Sequence, residues 1–157
     1  MTSSATISPT RFSVRTSSTE TSTVKAVCPG GWEHFNISCY LFVTDRCRPW
    51  KDAQNICWDD RATLTAISSE EENKFIFDRI KKLPYRSYWI GGRYSRQYGK
   101  WQWEPSNESV TWLNNSLLLQ YNTSNRCLKM NDRDGDWIDH WCAAYLPFIC
   151  EKAVPWG

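Results

Sequence analysis

The chain has no stretch of about 18 consecutive apolar residues, so no part of it reads as a membrane-crossing helix. Its first residues also lack the apolar core of a secretory signal. There are two histidines, His34 and His140, and neither lies in a catalytic motif. No G-x-S-x-G and no H-E-x-x-H occurs, which removes the commonest hydrolase and zinc-protease signatures. The cysteines do not form C-x-x-C pairs, and only the loose His140 and Cys142 approach zinc-ligand spacing. A net charge of +2, with no basic run, argues against a nucleic-acid partner. An enzyme is not expected.

What the chain has in quantity is cysteine and tryptophan: seven and ten in 157 residues. Scattered cysteines without metal spacing imply an oxidising compartment and a disulfide framework. That places the protein outside the cell, as a secreted domain or the ectodomain of a membrane protein. An export signal is then expected upstream of Met1 or already removed, the chain being a fragment, an isoform or an ectodomain. Residues 1–27 are rich in Ser and Thr and poor in large apolar groups. They are expected to form a disordered linker or an O-glycosylated stalk. The folded unit is expected over 28–152, with 153–157 as a tail.

Within that unit the pattern alternates between strand and helix signals, an α+β arrangement. Cys28 to Trp32 and Cys39 to Val43 flank a turn region and predict a hairpin. Arg48 to Asp60 predicts a helix, with Pro49 at its start and Trp50, Ala53 and Cys57 on one face. Ala62 to Ile67 predicts a short strand. Ser69 to Leu83 predicts a second helix, opened by a capping box of Ser69 and Glu72, with Glu70–Glu72 as a solvated start. Tyr88 to Gly92 and Trp101 to Pro105 predict strands whose tryptophans pack in the core. Asp134-Gly135 predicts a tight turn joining strands Leu128–Met130 and Trp137–Trp141. Tyr145 to Ile149 predicts a last strand, with Pro147 suiting an edge or irregular position. Asp132, Asp134 and Asp136 lack the spacing of a calcium loop and read as a solvated turn.

Taken in order, CPGGW, CYLF, the two helices, WIGG, WQWEP, GDWID and PFICE resemble the long form of the C-type lectin-like domain over residues 28–152. The resemblance implies two helices flanking small antiparallel sheets, a long loop over about Ser106 to Arg126, and stapling by disulfides. Local chain logic and the resemblance together select Cys28–Cys39, Cys57–Cys150 and Cys127–Cys142, each worth about 2–4 kcal/mol. Cys47 is left over. It is either a buried inert thiol or, between Arg46 and Arg48, an exposed one that links two chains or a second subunit.

Sugar-binding members hold Ca²⁺ through a Glu-Pro-Asn, a Glu before the next cysteine, and a Trp-Asn-Asp. Here Glu104, Trp137 and Asp139 match, while Ser106, Asn125 and Ile138 depart, and Arg126 follows Asn125. Calcium demands several carboxylates among its oxygens. Binding is therefore expected to be weak or absent, with Glu104 and Asp139 as remnants and no other cofactor. The candidate ligand-binding face is Glu104, Ser106, Asn125, Arg126, Trp137 and Asp139. Four glycosylation sequons occur, at Asn36, Asn107, Asn114 and Asn122, three of them in the long-loop region. The resemblance to natural-killer-receptor members implies a recognition module for a cell-surface or secreted protein or glycoprotein, without calcium. The alternative is a carbohydrate-binding lectin using a weakened calcium site or loop tryptophans.

Overall fold

A computed structural model describes residues 27–111 and 126–155. The expected stalk therefore falls almost wholly outside the described residues, as do Asn114, Asn122 and Asn125.

The first hairpin is β1 (Glu33–Phe35) and β2 (Ser38–Arg48). Its turn falls at Asn36-Ile37, within the expected turn region between Trp32 and Cys39, with Asn36 in the left-handed region that asparagine tolerates. Helix α1 (Trp50–Asp59) buries Trp50, Ala53, Gln54 and Cys57, an i, i+3, i+4, i+7 stripe. A two-residue strand β3 (Thr63–Leu64) follows, shorter than the expected Ala62 to Ile67. Helix α2 (Glu70–Ile80) starts where the capping signal placed it, with Ser69 Oγ accepting from the Glu72 N–H at 3.1 Å.

The remaining strands are β4 (Ser87–Ser95), β5 (Lys100–Trp103), β6 (Glu108–Ser109), β7 (Arg126–Asn131), β8 (Trp137–Trp141) and β9 (Leu146–Ala153). Pairing runs β1-β2-β9-β4-β5-β6, with β3 on β9, β7 on β4 and β8 on β7. The separate antiparallel sheets of the expectation are thus joined into one mixed sheet, because β4 meets β9 in parallel at Trp89 and Phe148.

Strand β9 lies inside the sheet rather than at its edge. Pro147 is accommodated because the β2 partner shifts register between Val43 and Arg48, so no ladder bond is demanded opposite it. The strand also runs past the expected boundary at residue 152. Ala153 pairs with Ser38, and the buried Val154 donates its N–H to Ile37 O at 2.9 Å.

Two buried clusters lie on either side of this framework. One gathers Tyr40, Ile67, Ile76, Ile80, Ile90, Trp101, Trp103 and Trp137. The other gathers Trp50, Ala53, Cys57, Leu64, Trp89, Phe148 and Cys150 around the central disulfide. The bridges are Cys28–Cys39, Cys57–Cys150 and Cys127–Cys142. Gly92 has a local reason: a Cβ there would lie 2.3 Å from Leu128 Cδ1, so the bulk that a leucine would supply comes from β7 instead.

Candidate functional site

The β7–β8 hairpin carries half of the expected binding face, Arg126, Trp137 and Asp139, and its register fixes which side chains meet. Leu128 pairs with Asp139, Met130 with Trp137 and Arg126 with Trp141. Paired residues share a face, so Arg126 and Asp139 project to the same side one step apart. Their charged groups meet, with Arg126 Nε 2.6 Å from Asp139 Oδ2, and both side chains are about three-quarters shielded from solvent. The carboxylate that would serve a cation already faces a guanidinium.

Glu104 and Ser106 lie in the turn between β5 and β6, where the Glu104-Pro105 peptide is cis. The Ser106 hydroxyl donates to Trp103 O at 3.3 Å and accepts from the Glu108 N–H at 3.2 Å, so it is used to shape the turn. Ile138 brings no side-chain oxygen.

Trp137 does not belong on the binding face. Only 1% of it is exposed, its indole N–H donates to Asn73 Oδ1 at 2.8 Å, and its ring meets Trp103 edge-on at 5.3 Å. It ties β8 to α2 and β5. The strand alternation that buries it leaves Ile138 37% exposed, while Trp141 and Tyr145, just beyond, are each 69% exposed. Sequence reasoning spread the tryptophans between core and rim without identifying Trp58 and Trp141 as exposed.

Asn36 and Asn107 are both exposed and both at positive φ in turns, where a glycan meets no packing. Cys47 lies half-buried near the end of β2, close to the Tyr85 hydroxyl. His140 has no zinc role with Cys142, which is bonded to Cys127. Among the described residues no group of three or more His, Cys, Asp or Glu is placed to hold a metal.

Glu72 corrects the expectation of a solvated helix start. It is buried, accepting at one oxygen from the Tyr40 hydroxyl at 2.8 Å and at the other from the Ser68 N–H at 2.9 Å. Glu151 lies beside it, accepting from Ser38 Oγ and Thr65 Oγ1, each at 2.8 Å, and from the Ala66 N–H at 3.1 Å. Burial, then the neighbouring Glu72, push the Glu151 carboxyl above its ordinary value. The two acids line a cavity of about 130 Å³ with Phe35, Tyr40 and Ser68. Every carboxylate oxygen already accepts a bond, so the pair stitches α2 to β2 and β9.

This combination of two helices, a looped mixed sheet and three bridges defines a C-type lectin-like domain. Residues 47–152 match the family described as Lectin C-type domain, and the chain belongs to that family. It is 29% identical over 128 residues to C-type lectin domain family 12 member B of Mus musculus, across 81% of this chain and 46% of that one. The chain spans about half the length of the first curated relatives it matches. A solved SPL-1–GlcNAc complex superposes with a TM-score of 0.69 at 30% identity, covering 80% of this chain and 94% of that one. The Ca²⁺-independent C-type lectin SPL-2 from Saxidomus purpuratus gives a TM-score of 0.71 at 27% identity, covering 80% and 93%.

Proposed function

We propose that this domain is an extracellular recognition module that binds a protein or glycoprotein surface without calcium. The observation that carries the reading is the Arg126–Asp139 ion pair. Calcium takes about six to eight oxygens, several of them charged, to offset its dehydration. At these positions one carboxylate is neutralised, the serine hydroxyl is spent on its turn, and Ile138 contributes none. The described residues therefore do not fit the ion. A calcium-independent neighbour at 27% identity supports the same reading, and three disulfides suit an exported domain.

The half-buried Cys47 is the point at which a second chain would be linked, doubling a weak surface into an avid one. A glycan reading is favoured by one observation: Trp141 and Tyr145 present large rings to solvent, and such faces stack on sugars. A glycan array probed with and without chelator tests both. The recognition reading predicts no chelator-dependent binding. Binding that disappears with chelator would contradict it.

A further inference from the structure

The faces of β4, β7 and β8 that look toward α1 carry a set of cations that the recognition reading above does not use. Cross-strand register places Arg93 beside Cys127 and Cys127 beside His140, while Trp89 pairs with Lys129 and Lys129 with Ile138. These two rows run side by side on one face. Trp89 lies among them, its ring 6.0 Å from that of His140 and its indole N–H donating to Arg48 O at 2.9 Å. Arg93 is stacked over the buried Trp50 at 5.8 Å.

Among the described residues, Arg48, Arg93 and Lys129 have no carboxylate within ion-pair distance. The one acid beside His140, Asp139, is already held by Arg126. Burial lowers the affinity of Lys129 for its proton, and burial with Lys129 and Arg126 holds the His140 imidazole below its usual value. A partly desolvated cation without a counter-ion is costly in the free protein and gains most when an anion arrives. The chain as a whole carries only +2, so this concentration of positive charge is local.

We infer that the Arg93–Lys129–His140 face receives an acidic segment of a partner protein, its carboxylates meeting the Arg93 guanidinium and the Lys129 ammonium, with the uncharged His140 ring beside them as a hydrogen-bonding group. This rests on the protein-recognition reading and names its chemistry. Charge complementarity selects an anionic partner. The choice of a protein over a sulfated glycan rests on Ile138, 37% exposed and directly opposite Lys129, and on Tyr145, 69% exposed and next to Leu146, which pairs with Arg48. A peptide brings apolar side chains to cover those surfaces, and a sulfated sugar does not.

The test is a titration of the isotope-labelled full chain, followed by amide shifts. The probes are an alternating tyrosine–glutamate octapeptide, its tyrosine–glutamine counterpart and a heparin hexasaccharide. The expected result is shifts confined to residues around Arg93, Lys129, Ile138 and His140, weakened by added salt. Affinity for the glutamine peptide is expected to be about tenfold lower, and Lys129→Gln is expected to weaken the acidic peptide by about as much while melting like the parent. Shifts elsewhere, no shifts, equal binding of both peptides, or tighter binding of the heparin fragment at this face would overturn the inference. None of those outcomes would bear on calcium independence, which the chelator experiment decides separately.

Discussion

The hydroxyl of Tyr40 donates a 2.8 Å hydrogen bond to Glu72, joining the second strand to the second helix inside the core. Tyr40→Phe keeps the ring and its contact with Phe75 but leaves a buried carboxylate oxygen without its donor. Such a loss costs about 1–3 kcal/mol. Urea unfolding should show a lower midpoint with an unchanged slope. A variant as stable as the parent would mean that the bond contributes nothing.

Glu151 predicts a pH dependence with a definite sign. Its folded-state pKa is raised above 4.5, chiefly by burial. The folded protein therefore holds this proton more tightly than the unfolded chain. The group's contribution is full below its unfolded value and is lost as pH rises through the folded one. The stability of the parent minus that of Glu151→Gln should fall as pH rises above about 4.5. A difference that is flat or rises would contradict the assignment.

The two tryptophans of the β8 strand should separate stability from binding. Trp137→Ala removes a fully buried ring and its bond to Asn73, a loss of about 3–5 kcal/mol. Trp141→Ala, at an exposed site, should change stability by less than about 0.5 kcal/mol. Thermal melts of the pair check this. Equal destabilisation would show Trp141 packed against something.

The core was legible where spacing alone decides burial. The stripe Trp50, Ala53, Cys57 follows from helical period, and the Ser69 cap from its hydroxyl and the acids after it. The site was legible in part, because Arg126 and Asp139 are flagged by departure from a pattern while their contact needs the hairpin register. Glu72 was misread for a physical reason. A glutamate in a first helical turn ordinarily faces water, and only the distant Tyr40 and Ser68 bonds make its burial tolerable. Trp137 was misplaced because a strand residue shows its alternation but not which face is the core. The basic face around Trp89 was invisible, since Arg48, Arg93, Lys129 and His140 lie on four separate elements.

Cys47, half-exposed near the end of β2, should be disulfide-linked in a dimer and open to alkylation only in native monomer. On a gel without reductant the parent should show a dimer that Cys47→Ser lacks. A monomeric parent that resists alkylation would mean the thiol is sealed under Tyr85 and links nothing.

The central claim is recognition without calcium, and the melting temperature in millimolar Ca²⁺ against EDTA tests it most directly. Ligand that binds the native state raises stability by mass action, so a filled site would show as a shift. With Arg126 held on Asp139, the two curves should coincide. A rise of several degrees in calcium, abolished by Glu104→Gln, would contradict the account.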